Sequence, residues 1–478
     1  MKGAPREVLQ LCTHVLIQGE ARPLDDALRA DILAANDDYA RGALRVLALA
    51  CRDIPPLEDL FRQRGGSMYT VERIERQLTF LGLAAMMDPP RPEVAAAVTT
   101  CREAGIRLAM ITGDYGLTAE SVARRVGLLS TTSPRILIGA ELDELDDAQL
   151  QDVIKDEVIF ARMAPEHKLR LVDAFQTRGG VVAVIGDGVN DAPALRKADI
   201  GVAMGVTGTD VAREAADVIL TDDNFGAITE AIAEGRTVYA NLRKFATYIF
   251  ASNVPELIPF VLTGLFNIPL ALTAPQILAI DLGTDLFPAL ALSTEKPEPD
   301  VMKHPPRNPD QPILDRGVFV RAFAWLGVIE TILCFAGFYF VFNAWGYSVF
   351  DLGPIWGSYA ERLASDLGPA YILATTVFHA GVVLAQAGNA FACRTEKGRV
   401  RGLGLFSNRF LLAGIALEIG LIVLLIYVSP LNRLFDHAPL PPNYWLWLAA
   451  FGPIVYSAEW MRKRIVRRLE RKRMKAEG

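Results

Sequence analysis

Six apolar stretches lie in the second half of the chain, at about 245–265, 275–293, 318–342, 370–392, 409–428 and 444–461. Each approaches the roughly 20 residues that an α-helix needs to cross the hydrocarbon core of a bilayer, the second and sixth being the shortest fits. Backbone in lipid has no water to bond to, so runs of this kind fold as helices. They predict a six-helix transmembrane bundle over residues 236–478. Loop charge orients it. Arg243, Lys244, Arg394, Lys397, Arg399, Arg401 and Arg409 fall on one side, with the tail from Arg462-Lys463-Arg464 to Lys475; the opposite loops hold Arg362 and Arg433. The positive-inside rule puts the tail and the first half of the chain in the cytoplasm, which requires an even number of spans. The Pro-rich segment Lys296–Pro312 is then a cytoplasmic connector. The expectation is a multi-pass protein of a plasma (inner) membrane, with the lipid bilayer as a partner.

The first 235 residues have another character. At 478 residues the chain is long enough for two or three domains. Its net charge of −6, without a basic stripe carrying interleaved aromatics, gives no reason to expect nucleic acid as a partner. Cys12, Cys51, Cys101, Cys334 and Cys393 form no CxxC and no metal spacing, so they read as reduced structural residues in a cytoplasmic setting. The opening MKGAPREVLQ has no apolar signal region, which argues against a secreted soluble domain. The run 43–50 reads as a buried strand ended by Pro55-Pro56, and Leu78–Met87 is another apolar run, closed by Asp88-Pro89-Pro90. From there strands and helices alternate: a helix over Pro92–Ala104, a strand over Arg107–Ile111, a helix over Thr118–Val126, a strand over Val158–Ala161, a helix from Pro165 to about Thr177, a strand over Val181–Ile185 and a helix over Ala192–Lys197. Such alternation predicts an α/β unit with a parallel sheet covered on both faces. Ligands bind such sheets at the carboxyl ends of the strands.

Polar residues follow several strands there. The most specific group is the loop Gly186-Asp187-Gly188-Val189-Asn190-Asp191-Ala192-Pro193. Mg²⁺ is a hard cation that usually sits on one or two carboxylates plus phosphate, and Asp187 and Asp191 on one tight turn can supply those carboxylates. Thr112 and the Gly113 N–H can hold phosphoryl oxygens. Lys168 can place a point charge on the same group. Taken alone, Thr-Gly-Asp is more often an ordinary turn; eight specified positions in the Gly-Asp-Gly loop are not a chance match.

The membrane half has acids of its own. Ser252-Asn253-Val254-Pro255-Glu256 lies in the first span and Asp281-Leu282-Gly283-Thr284-Asp285 in the second. Carboxylates in mid-membrane are costly and mark ion paths. A proline beside one frees a carbonyl from the helix ladder that can join a cation's ligands. Asp281 and Asp285, four residues apart, are expected on one helix face. A helix-end residue snorkelling to the interface is the bland alternative for one such acid, and a poor one for three.

The chain resembles P-type ATPases of the calcium-pump and sodium/potassium-pump class almost from end to end. The matching pieces are Lys2-Gly3-Ala4-Pro5, 44–50, Asp88-Pro89-Pro90-Arg91, Met110-Ile111-Thr112-Gly113-Asp114, Phe160 to Lys168 and the Gly186–Pro193 loop. The resemblance implies a haloacid-dehalogenase-type phosphorylation domain over 81–235, after a remnant of a nucleotide-binding domain over 1–80. It implies ATP and Mg²⁺ as cofactors. Lys2 and Arg45 become ATP contacts; Thr112, Gly113, Asp114, Arg162, Lys168 and Asn190 become nucleotide or phosphoryl contacts; Asp187, with Asp191 near it, becomes the Mg²⁺ site. In the membrane it implies a transported cation (Ca²⁺, Na⁺, K⁺ or H⁺) held by Asn253, Glu256, Asp281, Thr284, Asp285 and Gln386. Asn389 and Glu418 stand where family members carry polar or acidic residues, and for Gln386, Asn389 and Glu418 polar packing is an equal alternative. Asp281 resembles the sodium/potassium type, and Gln386 stands where a calcium pump of the sarcoplasmic type has Glu, so the ion stays open.

Pumps of this class form a phospho-aspartate in Asp-Lys-Thr-Gly-Thr and use Thr-Gly-Glu in dephosphorylation. Neither string occurs in these residues. The expectation is therefore the C-terminal part of a cation-transporting ATPase that forms no phosphoenzyme alone, with a separate N-terminal half as one candidate partner. The alternatives are a non-catalytic membrane cation-binding or regulatory subunit, one half of a split pump, and a membrane-tethered phosphatase, which the absent nucleophile and the intramembrane acids both oppose.

Overall fold

The computed structural model describes residues 1–42, 44–53, 74–86, 89–131, 134–348, 352–355, 359–396, 398 and 400–477. The Pro55-Pro56 pair, Met87, Asp88, Lys397 and Arg399 lie outside the described residues. The chain divides into two compact units, Met1–Glu230 and Ala231–Gly478.

The first unit opens with five strands: β1 (Lys2–Gly3), β2 (Cys12–Ile17), β3 (Glu20–Pro23), β4 (Arg45–Cys51) and β5 (Leu78–Met86). They form one sheet in the order β1-β4-β5-β2-β3. β4 and β5 run antiparallel with Arg45 opposite Met86, whereas β2 and β5 are parallel. Helices Pro5–Leu11 and Asp26–Arg41 accompany this sheet. The second helix starts where Asp25 accepts a hydrogen bond from the Leu28 N–H at 2.8 Å, satisfying one of the free donors of its first turn. Val8, Leu9, Cys12, Ala48, Leu78 and Phe80 close a core between these elements.

Two parallel sheets follow. β6 (Met110–Ile111), β7 (Arg135–Ile138) and β8 (Val158–Ala161) pair in the order β6-β8-β7. β9 (Ala183–Gly186), β10 (Ile200–Met204) and β11 (Val218–Leu220) pair in the order β11-β10-β9. All four pairings are parallel. β8 is buried on both faces, which is why Val158–Ala161 is an unbroken apolar run. The strand expected over Arg107–Ile111 is limited to Met110–Ile111. The preceding residues close the helix Pro92–Glu103 instead: Gly105 takes the left-handed conformation (φ 68°) and the Ile106 N–H reaches back to Cys101 O at 2.8 Å. That is a glycine-terminated helix end.

In the second unit five helices among the described residues are long and apolar enough to cross a membrane: α1 (Gly226–Phe266), α2 (Ala274–Ser293), α3 (Arg316–Ala344), α4 (Gly368–Cys393) and α5 (Arg409–Tyr427). The sixth expected span is two helices, α6 (Pro442–Leu448) and α7 (Phe451–Glu477). Next to this break α4 and α7 touch backbone to backbone, since a Cβ on Gly388 would lie 2.2 Å from Gly452 O. α4 is buried along most of its length. Wide π turns interrupt α2 at Ile280–Thr284 and α3 at Val320–Leu326.

Polar contacts mark the two ends of the bundle. At one end Arg243 pairs with Asp315 (3.0 Å) and Glu396 (2.8 Å), Arg321 with Glu459 (3.0 Å), and Lys463 donates to Ala392 O at 2.6 Å. At the other, Arg362 pairs with Asp436 (2.7 Å), Gln276 donates to Asp436 O (3.1 Å) and the Tyr371 hydroxyl to Leu270 O (2.9 Å).

Candidate functional site

In the first unit the turns after β6 and β8 are stitched together. Thr112 N–H donates to Phe160 O (2.8 Å), Met163 N–H to Thr112 O (3.0 Å) and Arg162 N–H to Asp114 O (3.1 Å), while Asp114 N–H bonds the Thr112 hydroxyl at 3.1 Å. Thr112, Gly113, Asp114 and Arg162 therefore lie together at the carboxyl ends of parallel strands. Arg162 has a left-handed backbone (φ 52°), which costs a non-glycine residue on the order of 1–3 kcal/mol and concentrates at working sites. Its guanidinium lies over the Tyr115 ring, 5.5 Å from the centroid. Gly113, Asp114, Tyr115 and Arg162 line a cleft of 460 Å³ with Arg45 and Glu7. Tyr115 was not singled out in the sequence, and its hydroxyl donates to Asp37 at 3.2 Å. Lys2 sits apart from this lining: it is exposed on β1 opposite Leu49, and Ala4 and Pro5 just after it reach the cleft.

The Gly-Asp-Gly loop leaves the end of β9. Asp191 folds back over Gly186 so closely that a Cβ there would lie 2.5 Å from the Asp191 Cβ, so only glycine fits. One Asp191 oxygen accepts the Gly188 N–H at 3.1 Å and the other takes the Lys168 ammonium, from the first turn of the helix Pro165–Thr177. Lys168 and Asp191 are both largely buried, at 17% and 14% side-chain exposure. Asp187 differs: it is exposed, and among the described residues its carboxylate has no hydrogen bond or ion pair. Its backbone is pinned by the Thr209 N–H at 2.8 Å. Asn190 is exposed beside it. Chemically, Asp187 is an open carboxylate next to a Lys–Asp pair. Among the described residues no three His, Cys, Asp or Glu side chains are grouped to hold a metal. This donor set suits a hard cation that takes most of its ligands from phosphate and water.

In the second unit Glu256, Thr284, Asp285 and Gln386 are buried, while Asn253 and Asp281 are exposed. Asp281 and Asp285, expected on one helix face, both lie within electrostatic reach of Glu256, although Asp281 is exposed and Asp285 is buried. The π turn makes the Asp285 N–H bond to Ile280 O, five residues back, at 3.0 Å. Asp281 stays within electrostatic reach of Glu256, and Asp285 is turned towards Tyr248 and Ser252 of α1. Pro255 and Pro259 lie inside α1, so the carbonyls of Ala251 and Pro255 lose their helical donors. Several buried atoms have no protein partner: Glu256 Oε1, Asp285 Oδ1, both amide atoms of Gln386, Asn389 Nδ2 and both carboxyl oxygens of Glu418. Native interiors leave few such groups, so each calls for a partner. Glu330 on α3 belongs with them, fully buried with both oxygens unpartnered. Its visible signal was an acid inside the apolar run Leu326–Cys334.

Against known proteins, residues 1–93 match the family model described as P-type ATPase, cytoplasmic domain N, and residues 269–465 match Cation transporting ATPase, C-terminus. Residues 169–232 match haloacid dehalogenase-like hydrolase. A calcium-transporting ATPase of Bacillus subtilis is 40% identical over 95% of this chain and 47% of its own length. The chain belongs to the P-type cation-transporting ATPases. Rat sodium/potassium-transporting ATPase subunit alpha-4 is 34% identical over 98% of the chain and 49% of its own length. The human alpha-3 subunit is 34% identical over 98% and 50%. The chain thus spans about half the length of the curated relatives it matches. Its matches comprise a haloacid-dehalogenase-like part and a cation-ATPase C-terminal part that holds helices of membrane length.

Proposed function

We propose that this chain works in ATP-driven cation transport, with 1–80 contributing to a nucleotide-binding domain, 81–235 forming the phosphorylation domain and 236–478 the transport domain. The observation that carries the reading is the set of buried, unpartnered oxygens on Glu256 and Asp285, with Gln386, inside helices of membrane length. The relatives' names, calcium-transporting and sodium/potassium-transporting, support a cation as cargo.

In this reading ATP enters the cleft lined by Arg45, Gly113, Asp114 and Arg162, with Lys2 reaching it from β1. Mg²⁺, when bound, neutralises the phosphoryl group being transferred. Asp187 would hold it, and Asn190 and Thr112 would hydrogen-bond phosphoryl oxygens. Asp191 already accepts from Lys168 and from the Gly188 N–H, so its first role is to hold the Lys168 charge in place. In the membrane Asn253, Glu256, Asp281, Thr284, Asp285 and Gln386 would hold the cation.

Six crossings fit this function. Asp436 sits with Gln276 and Arg362 at one end and Lys463 with Ala392 at the other, which supports α6 and the start of α7 as a sixth passage. The basic residues at the second of these ends support a cytoplasmic tail. The remaining machinery, including an Asp-Lys-Thr-Gly-Thr nucleophile, would act together with these residues. The test is ATP hydrolysis by this chain combined with the portion of such a pump that carries that nucleophile. Activity that depends on the cation and is lost in Asp187→Ala is expected; hydrolysis indifferent to cations would refute the reading.

A further inference from the structure

Glu330 is unexplained by the sites above. It sits on α3, away from the motifs that mark the family, with 0% exposure and both carboxyl oxygens unpartnered. No Lys or Arg among the described residues pairs with it. Its neighbour Thr331 is satisfied within the helix, donating to Gly327 O at 2.7 Å, so Glu330 is the polar group of that turn left without a partner.

The packing shows what Glu330 meets. One turn earlier, α3 presses on α1 through Gly327: a Cβ there would lie 2.4 Å from Val254 Cγ2 and 3.0 Å from Ala251 O. Ala251 is the residue whose carbonyl lost its helical donor to Pro255, and Ser252 and Glu256 lie on the same stretch. On the other flank α5 presses on α2. A Cβ on Gly283 would lie 2.7 Å from Leu421 Cδ2, and one on Gly414 would lie 3.2 Å from the Pro288 nitrogen. Glu418 falls between Gly414 and Leu421, as Asp285 falls between Gly283 and Pro288. Glu330 lies within electrostatic reach of Asp285, Glu418, Glu256 and Tyr248. Two glycine-mediated helix crossings thus gather acids from four helices.

We propose that Glu330 is a cation ligand contributed by α3, closing a second binding position with Glu418 beside the one built on Glu256 and Asp285. The inference rests on the transport reading. A buried carboxyl group without a donor is destabilising unless something fills its lone pairs, and the groups within electrostatic reach are three further acids and the Tyr248 hydroxyl, with no cationic side chain among them. An oxygen-lined, acid-rich position of this kind takes a hard cation, Na⁺ or Ca²⁺.

The test is equilibrium binding of radiolabelled Na⁺ and, separately, Ca²⁺ to the full chain in detergent, with Glu330→Gln, Glu330→Asp, Glu418→Gln and Glu256→Gln. Thermal midpoints measured without cation report folding. Glu330→Gln is expected to weaken binding of one cation by about tenfold or more, Glu330→Asp to weaken it less, and Glu418→Gln to act on the same binding phase. Should Glu330→Gln fail to fold, Glu330→Asp still carries the comparison. Cation binding that Glu256→Gln weakens and both Glu330 variants leave unchanged would overturn the inference and spare the transport reading. A shifted thermal midpoint with unchanged binding would show a structural role only and overturn it too. A wild-type chain that binds neither cation would contradict the transport reading itself, and the inference would fall with it.

Discussion

Lys168 donates its ammonium to Asp191, joining the first turn of the helix Pro165–Thr177 to the Gly-Asp-Gly loop. The pair is largely buried, so removing one member leaves the other's charge without compensation. Lys168→Ala should lower stability by about 1–3 kcal/mol and weaken nucleotide binding. The double variant Lys168→Ala with Asp191→Asn should regain stability but not nucleotide affinity. Denaturation midpoints and nucleotide titration separate the two effects; recovery of both would mean that Lys168 does not touch phosphate.

Asp187 is predicted to behave in the opposite way. It is exposed and unpartnered among the described residues, so Asp187→Asn should leave the thermal midpoint nearly unchanged. The Mg²⁺ dependence of nucleotide binding should weaken by about tenfold or more, ~1.4 kcal/mol. Calorimetric titration with and without Mg²⁺ reads this directly. Equal Mg²⁺ dependence in the variant would move the metal elsewhere.

Acid stability should depend on Asp223. Burial pushes its carboxyl up, but the hydrogen bonds from Val206 N–H, Thr207 Oγ1 and Thr207 N–H outweigh that and hold it at about 2. An unfolded aspartate titrates near ~3.9. The folded group therefore binds its proton less tightly than the unfolded one. Its contribution is complete above about pH 4 and is lost as pH falls towards about 2. Asp223→Asn should lower the midpoint at neutral pH and flatten its fall across that window. An unchanged acid slope would assign the effect to other carboxylates.

Arg394 should be among the most sensitive positions of the second unit. Its guanidinium bonds both oxygens of Glu295, at 2.7 and 3.0 Å, and also Gly404 O (2.9 Å), Leu405 O (2.7 Å) and Ser407 Oγ (2.7 Å). Neither partner has side-chain exposure. Arg394→Met should cost about 3–5 kcal/mol, because it strands the buried Glu295 carboxylate. Arg394→Lys should also destabilise, since an ammonium cannot reproduce the planar fork. Thermal unfolding in detergent checks both, and wild-type midpoints would contradict the assignment.

Strong local signals made much of this legible in the sequence. Val158–Ala161 reads as a buried strand from its apolar run, and the helices Pro165–Thr177 and Ala192–Lys197 begin with proline in the first turn, where the missing N–H costs nothing. β7, β10 and β11 are three to five residues long and were not anticipated, because their pairing is set by tertiary neighbours rather than periodicity. The first five spans stood out by length and hydropathy. The sixth did not hold as one helix, since apolar composition does not fix continuity at Ala449-Ala450. At the candidate site, the residue types of the Gly-Asp-Gly loop pointed to Mg²⁺ and phosphate chemistry, but not to Asp191 being engaged by Lys168 while Asp187 is free. The π turn at Ile280–Thr284 was equally invisible: it is defined by the Asp285 N–H bonding Ile280 O, which residue spacing does not announce.

The most direct test of the account is ATP-driven uptake of radiolabelled Ca²⁺ or Na⁺ into sealed vesicles holding this chain together with the pump portion that bears the Asp-Lys-Thr-Gly-Thr nucleophile. Uptake of one of these cations that requires Mg²⁺ and ATP, and that both Asp187→Ala and Asp285→Asn abolish, is the predicted result. Uptake that survives Asp285→Asn, or ATP hydrolysis without movement of either cation, would contradict it.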